Sequence, residues 1–284
     1  MNINEKEKRI LAIVVTYYPE KELLYCNISA FIDYVDKVLI WENTPRRDSE
    51  SYRYINDEKV EYCGDGVNSI SHALNYAWHY AKDNGYDYLL TMDQDSVWVN
   101  FSDFLNKTIY NPNAPYGLYG PTIDDGVNDR SYDDDFHCHD IITSGMLIPI
   151  NLLNEIGGYG EFLKIDGVDF YLCYRAMELG YGVYTVKNCF LKQQFGNYGF
   201  AKFLNHSFTT YRYSATRLYE IYKSQIIMLR RFHTTEEFRR NFWKNRMIKW
   251  PFKILFGEDD KVNKFKAIIK GIFAGLFFNL KECR

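Results

Sequence analysis

The sequence has few cysteines and no pattern among them. Six cysteines occur in 284 residues, and no two of them form a C-x-x-C pair. Such spacing fits neither a secreted disulfide framework nor a cysteine-bound zinc cluster. The opening segment MNINEKEKRI is charged and has no apolar signal core. We therefore expect reduced thiols and a cytoplasmic location.

Long apolar runs are also missing. The stretch Ala267 to Leu280 is mostly apolar but is interrupted by Lys270, and it is shorter than the roughly 20 residues that cross a bilayer. From Arg230 to Lys270 there are twelve Lys or Arg and five Asp or Glu residues, although the whole chain carries a net charge of −3. A basic and apolar tail predicts contact with an anionic membrane surface rather than with nucleic acid. An ordinary helix packed on the rest of the chain is the alternative.

Strand-like and helix-like segments alternate in the first half. The runs ILAIVVT (10–16), KVLIW (37–41) and YDYLLTM (86–92) predict buried strands, and residues 23–34 and 69–82 predict helices. This alternation predicts an α/β fold with a mostly parallel, doubly wound sheet flanked by helices. From about Ser214 onward the pattern becomes helical and basic.

The second half predicts three further elements. Residues 141–150 (IITSGMLIPI) indicate a strand interrupted at Ser144-Gly145, residues 167–179 a helix, and residues 181–186 a short strand.

Polar residues follow each of the first three predicted strands. In an open α/β sheet, ligands bind at the carboxyl ends of the strands. Two carboxylates just past a buried strand can hold a hard divalent cation such as Mg²⁺ or Mn²⁺, which could bridge a diphosphate. Two turn carboxylates capping a loop are the alternative reading. The three groups are Thr16 to Tyr18, Glu42 with Asn43, and Asp93 to Asp95.

Four motifs, in order, resemble the family 2 glycosyltransferases, which have the GT-A fold. They are VVTYYPE, the segment GDGVNSISHALNYAWHYAKDNGYDYLLTMDQDS, ITSGMLIP, and GGYGEFLKIDGVDFYLCYRAMELGYGV. The chain departs from the family pattern at Val67 for Asn, Ser69 for Gly, Glu42 for Asp, Tyr171 for an acid and Gln193 for His.

The resemblance implies an inverting hexosyltransferase with Asp169 as its catalytic base and Asp166 as an accompanying, donor-binding acid. Independently of the family, two carboxylates three apart share one face of a helix. There a carboxylate could accept the proton of an attacking hydroxyl. A first-turn pair stabilised by the helix N-terminus is the alternative.

The resemblance also assigns the donor site. It implies that Ser144 and Gly145 face the donor sugar, that Asp95 holds the cation, and that Asp93 contacts the ribose or the metal. Gln193 stands at the place of a metal or diphosphate ligand, and His206 is the next candidate. The residues expected to line the nucleoside pocket are Thr16, Tyr18, Glu42 and Asn43.

Two later segments are similar to rhamnosyltransferase-like members, RLYEIYKS (217–224) and FKAIIKGIFAGL (265–276). They imply a deoxysugar donor such as dTDP-rhamnose.

We expect a glycosyltransferase domain over residues 1–215 and a basic, aromatic helical extension over residues 216–284. The expected partners are a nucleoside diphosphate sugar and a saccharide or lipid-linked saccharide acceptor of cell-surface polysaccharide or glycolipid synthesis. The expected place is peripheral, at the inner face of the membrane.

Two other functions remain open from the sequence. A nucleotidyltransferase also joins a buried strand to paired carboxylates, but it normally has a glycine-rich, basic phosphate loop, and VVTYYPEKE contains no glycine. A non-catalytic relative that binds a sugar or nucleotide is the second alternative, because fold does not fix function.

Overall fold

Contacts along the chain group its residues into two units. The computed structural model describes residues 8–45, 50–125, 135–138, 141–193, 199–203 and 206–283. The first unit comprises Met1–Glu161 and Arg175–Gln194, and the second comprises Phe162–Tyr174 and Phe195–Arg284. The predicted domain boundary between residues 215 and 216 stays a prediction.

A mixed, mostly parallel sheet forms the first unit. The strands are β1 (Ile10–Thr16), β2 (Lys37–Glu42), β3 (Val60–Cys63), β4 (Tyr88–Asp93), β5 (Val97–Trp98), β6 (Gly117–Asp124), β7 (Phe136–Cys138), β8 (Met146–Pro149) and β9 (Gly182–Lys192). Their order in the sheet is β3-β2-β1-β4-β8-β6-β9-β5, and β7 pairs with β9. Strands β1 to β4 are parallel, β6 is parallel to β9, and β8 runs antiparallel to both β4 and β6.

Helices flank this sheet. Helix α2 (Ile70–Asp83) contacts β1 and β4, and its side chains Ala73, Leu74 and Ala77 are fully buried. Ser69 caps its start by accepting a hydrogen bond from the backbone N–H of His72 at 3.4 Å. The helices are α1 (Lys21–Ser29), α2 (Ile70–Asp83), α3 (Phe101–Lys107), α4 (Ile150–Ile156) and α5 (Val168–Glu178), which contributes residues to both units.

Three of the predicted elements differ in detail. The helix expected over residues 23–34 ends at Ser29 and is followed by a 3₁₀ turn, Ile32–Tyr34. The strand expected over residues 141–150 is limited to β8, since Gly145 has a φ of 79° and turns the chain before Met146. Asp166 precedes α5, so the expected helical face shared by Asp166 and Asp169 does not exist.

The second unit is a hairpin with helices. Its core contains Leu218, Ile221, Tyr222, Trp250, Ile254 and Ile268. Within it, α9 (Lys261–Phe277) packs along α6 (Ala215–Arg231), and an eight-residue π-helix precedes α8 (Trp250–Gly257). The elements are β10 (Gly199–Phe203), β11 (His206–Thr210), α6 (Ala215–Arg231), α7 (Glu236–Asn241), the π-helix (Phe242–Lys249), α8 (Trp250–Gly257) and α9 (Lys261–Phe277). The predicted helical C-terminal extension is confirmed.

Candidate functional site

The three predicted strand ends lie side by side at one edge of the sheet. Thr16, the last residue of β1, is in register with Glu42 at the end of β2. On the other side of β1, Val15 is in register with Asp93 at the end of β4. Parallel pairing therefore brings the polar residues that follow β1, β2 and β4 to the same edge, as the sequence predicted.

The Asp93 loop is held by buried hydrogen bonds. The hydroxyl of Ser144 accepts from the backbone N–H of Asp93 at 3.1 Å and donates to the hydroxyl of Ser96 at 2.7 Å. Asn27 donates its side-chain amide to the carbonyl of Asp93 at 2.8 Å. Ser144 is fully buried, so in this structure it positions the loop, and its contact with a donor sugar stays a prediction.

Gly145 permits this arrangement. Its N–H donates to the carbonyl of Thr91 at 2.7 Å, and its φ of 79° lies in the left-handed region that favours glycine. A Cβ atom there would also lie 2.8 Å from Pro121. The Ser-Gly pair is thus required for the backbone path beside the Asp93 loop.

Gln193 meets the Asp93 side chain directly. Its amide nitrogen donates to Asp93 Oδ2 at 2.9 Å. Because an ionised carboxylate can only accept, the amide oxygen must point the other way. That oxygen is buried and has no hydrogen-bond partner among the described residues. The arrangement leaves one unsatisfied hard oxygen beside a carboxylate.

The oxygens of Asp93, Asp95 and Gln193 fit a hard cation that takes its remaining ligands from water and phosphate. Asp93 is half-buried and Asp95 is exposed. Within the described ranges, no group of three or more His, Cys, Asp or Glu residues could hold a metal ion. Mg²⁺ typically binds through one or two carboxylates, with waters and phosphate oxygens completing its shell. Residues 194–198, which continue the Gln193 segment, and the His206 side chain lie outside the described part.

Gln94 was not singled out from the sequence, yet it joins two of the strand-end loops. Its side-chain oxygen accepts from the N–H of Tyr17 at 2.6 Å, and its side-chain nitrogen donates to the carbonyl of Tyr17 at 3.2 Å. The loop after β1 is therefore fixed to the loop that contains Asp93 and Asp95.

Thr16 and Asn43, two of the four predicted nucleoside-pocket residues, use their side chains in hydrogen bonds within the protein. Thr16 and Asn43 are buried. The Thr16 hydroxyl donates to the carbonyl of Trp41 at 3.1 Å, and the Asn43 side chain accepts from the indole N–H of Trp41 at 3.1 Å. These two residues shape the strand ends, and their contact with a nucleoside stays a prediction.

The other two nucleoside-pocket residues differ in access. Glu42 is only 6% exposed, and its carboxylate accepts from Arg53 Nε at 3.1 Å and from Nη2 at 2.5 Å. Tyr18 is 41% exposed with a φ of 46°, and its ring makes edge contacts with Tyr17 and Tyr52. The accessible surface at this edge is therefore a group of tyrosine rings. Arg53 was missed because it lies in an irregular segment far from any motif.

A cavity of about 500 Å³ opens beside Glu42. It adjoins that residue through Gly64, where a Cβ atom would lie 2.8 Å from the Glu42 carbonyl. On its wall, His72 Nε2 lies 2.7 Å from Asp65 and His72 Nδ1 lies 3.8 Å from Glu161. The cavity is lined by Trp41, Cys63, Gly64, Asp65, His72, Asn75, Tyr76, His79 and Glu161.

The cysteine in the wall of this cavity is a poor nucleophile. Burial raises the pKa of the Cys63 thiol to about 12, so the thiolate is scarce at neutral pH. The Tyr76 ring is 39% exposed, and together with the His72 and Asp65 side chains it can meet a ligand with both apolar and hydroxyl surfaces.

The predicted catalytic acids lie in the second unit. Asp169 is in the first turn of α5, and its Oδ1 accepts from the N–H of Phe170 at 2.9 Å. Asp166 lies before the helix and accepts a long hydrogen bond, 3.4 Å, from the Ser224 hydroxyl. Asp95 belongs to the first unit, so the cleft expected to join it to Asp169 stays a prediction.

Two arginines from the C-terminal helices affect Asp166. Burial raises the pKa of Asp166, while Arg246 and Arg217 oppose that rise. Arg246 lies in the π-helix over the Trp250 ring, 3.5 Å from its centroid. Its Nε is buried without a hydrogen-bond partner among the described residues. No sequence pattern indicated this electrostatic interaction, because the basic tail predicted only contact with a membrane surface.

Solved structures with a similar fold are glycosyltransferases. Residues 1–349 of TarS from S. aureus, in complex with UDP-GlcNAc, are 14% identical, with a TM-score of 0.56 over 94% of this chain and 81% of that one. The mannosyltransferase PcManGT from Pyrobaculum calidifontis, in complex with GDP-Man and Mn²⁺, is 13% identical, with a TM-score of 0.55 over 98% of this chain and 78% of that one. No protein-family model and no curated protein matches the sequence.

At this level of identity the likeness shows the fold. The predicted architecture is confirmed: a mostly parallel sheet flanked by helices, of the GT-A kind, with C-terminal helices.

Proposed function

We propose that this protein is an inverting glycosyltransferase that moves a sugar from a nucleoside diphosphate to an acceptor hydroxyl. The observation that carries the proposal is the Asp93–Gln193 contact at the strand ends. Beside it lies the buried Gln193 oxygen, which has no hydrogen-bond partner in the described part of the chain. Support comes from the two similar structures, whose bound ligands are UDP-GlcNAc and GDP-Man with Mn²⁺. The resemblance of four sequence motifs to family 2 supports the same conclusion.

The donor would lie across the ends of β1, β2 and β4. Asp93 and Asp95 would hold Mg²⁺ or Mn²⁺ together with the diphosphate, and the Gln193 oxygen would join them once its amide turned over and released Asp93. When bound, such a cation neutralises the charge that develops on the departing diphosphate. The exposed Tyr18 ring would stack on the nucleoside, and the Ser144–Asp93 hydrogen bond keeps the acidic loop in place while the donor binds.

Asp169 would act as the base. Its carboxylate takes the proton of the acceptor hydroxyl while the hydroxyl oxygen bonds to the anomeric carbon. The bond from that carbon to the diphosphate oxygen breaks, and its electron pair leaves with the nucleoside diphosphate. Attack from the face opposite the leaving group inverts the anomeric centre.

The finer parts of the proposal follow from the sequence resemblance. The donor would carry a hexosyl group, and the first donor to test is one that carries a deoxysugar, such as dTDP-rhamnose. The acceptor would be a saccharide or a lipid-linked saccharide. The enzyme would work in cell-surface polysaccharide or glycolipid synthesis, peripherally at the cytoplasmic membrane face.

Replacing Asp169 by asparagine tests the base assignment. We expect turnover to fall by about 100-fold or more, as for loss of a general base, while donor binding, followed by thermal shift, is kept. Asp103→Asn is the matched control, because Asp103 also lies in the first turn of a helix and would report any general effect of losing such a carboxylate. Asp169→Asn turnover at the native rate would contradict the proposal.

A non-catalytic donor-binding protein is the second candidate. The observation in its favour is that Tyr171, which stands where the family commonly has an acid, is buried. Acceptor-dependent release of free nucleoside diphosphate separates the two: an enzyme releases it, and a binding protein does not.

A further inference from the structure

Helix α9 packs on α6 through its smallest residues. Gly271 and Gly275 are buried, and a Cβ atom at Gly271 would lie 2.5 Å from the carbonyl of Tyr219. Farther along the same side, Lys264 is buried and its Nζ lies 2.7 Å from Glu258. This face of α9 is therefore fully used by contacts within the second unit.

The opposite face carries the large apolar side chains. With about 100° per residue, these residues fall on the side of α9 away from Gly271 and Gly275. The rings of Phe273 and Phe277 lie parallel, with centroids 6.3 Å apart. An apolar face that the described part of the unit leaves exposed marks an interaction site. The exposed fractions are 66% for Val262, 53% for Ile269, 55% for Phe273, 45% for Leu276 and 82% for Phe277.

Positive charge borders this outer face of α9. The helix contains four lysines and no Asp or Glu, and Lys261, Lys266 and Lys270 are exposed. Lys266 and Lys270 follow the same edge of the apolar face, since they are four residues apart. Across the described ranges, no helix combines the length and apolarity needed to cross a bilayer.

We infer that the outer face of α9 binds the surface of an anionic bilayer, with the helix lying in the plane of the membrane. Phe273 and Phe277 enter the acyl boundary while Lys266 and Lys270 contact acidic headgroups. A second copy of the chain suits this face less well. If the outer faces of two α9 helices packed together symmetrically, Lys266 and Lys270 of one copy would lie near the same lysines of the other, and like charges repel. The inference rests on the proposed function only for its purpose, delivery to a lipid-linked acceptor.

Vesicle co-sedimentation of the full chain tests the inference. Vesicles of phosphatidylcholine with phosphatidylglycerol should retain the protein, and vesicles of phosphatidylcholine alone should retain it much less. Phe273→Ser with Phe277→Ser should weaken binding by about tenfold or more, as two exposed aromatic anchors are lost. The matched control is Phe200→Ser on β10, because Phe200 is 80% exposed and should not affect binding.

Charge is tested separately from apolarity. Lys266→Gln and Lys270→Gln should each weaken binding about fivefold, whereas Lys202→Gln on β10 should have no effect. Native-like retention of the double serine variant would overturn the inference. Equal binding of the native protein to both kinds of vesicle would also overturn it. So would a native protein that is a dimer in solution and a serine variant that is a monomer, if vesicles retain neither of them.

Donor binding distinguishes this inference from the proposed function. Thermal shift by nucleotide sugar with Mn²⁺, measured without vesicles, should be the same for native protein and the double serine variant. If no nucleotide sugar binds and vesicle binding still depends on Phe273 and Phe277, the membrane face stands and the transferase proposal falls.

Discussion

Replacing Gly271 by alanine tests the close packing of α9 on α6. The new Cβ atom would lie 2.5 Å from the carbonyl oxygen of Tyr219 and 3.1 Å from Cβ of Tyr222. Real Cβ atoms essentially never approach other atoms within 3.0 Å, so the two helices would have to separate. Because the nearest atom belongs to the backbone of α6, no side-chain rotation can relieve the contact.

Two opposing terms decide the sign of the effect. Glycine to alanine inside a helix gains about 0.8–1.0 kcal/mol of helix propensity, whereas overpacking typically costs about 1–3 kcal/mol. Since the clash is with a carbonyl oxygen, we expect the upper part of the second range. The net loss in free energy of unfolding should then be about 1–2 kcal/mol.

Urea unfolding followed by circular dichroism measures this loss, and a thermal scan should show a Tm lower by about 2–8 °C. Ala274→Gly on the same helix is the reference, because it should lose about 1 kcal/mol from propensity alone. A Gly271→Ala protein about 1 kcal/mol more stable than the native protein would refute the close approach. The outward orientation of Phe273 and Phe277 would then lose its basis.

Three further perturbations test other contacts. Lys264→Met leaves the Glu258 carboxylate buried without its cation and should cost about 3–5 kcal/mol in chemical denaturation, most of it recovered by adding Glu258→Gln; a loss below about 1 kcal/mol would contradict the buried pair. Gln193→His should raise the ratio of Mn²⁺- to Mg²⁺-supported activity, because imidazole suits transition metals better than magnesium; an unchanged ratio in metal titrations would remove Gln193 from the cation site. Burial raises the pKa of Asp166, so its contribution to stability is present below the unfolded pKa of about 3.9 and is lost as pH rises. Relative to the native protein, Asp166→Asn should therefore gain stability in urea titrations as pH increases from 4 to about 8. If the variant instead lost free energy of unfolding relative to the native protein as pH increased, the assigned sign would be wrong.

Local patterns account for the elements that the sequence predicted well. The β1 run is apolar up to Thr16, and all but one of its residues are buried. Helix α2 has both a helical apolar stripe and a serine cap. Strand β6 escaped prediction because Gly117, Gly120 and Pro121 lower strand propensity. The glycines are needed there: a Cβ atom at Gly117 would lie 2.2 Å from the carbonyl of Gly182. That constraint comes from a neighbouring strand and leaves no local signal.

The candidate site likewise contains residues that the sequence could predict and contacts that it could not. Strand-end carboxylates such as Asp93 are readable from the sequence because strand and motif coincide. The Arg53–Glu42 pair joins a strand end to an irregular segment, and the Ser144–Asp93 bond joins residues 51 positions apart. Such contacts depend on tertiary structure, so periodicity and motif spacing could not predict them.

The Gln94 bridge has a consequence for how this edge of the sheet can vary. One side-chain amide engages both backbone groups of Tyr17, so the attachment does not depend on which side chain residue 17 carries. The ring at that position is 49% exposed. Evolution could therefore exchange this ring without loosening the acidic turn. Substituting Gln94 itself would release both backbone groups of Tyr17 together, and would detach the loop after β1 from the acidic turn.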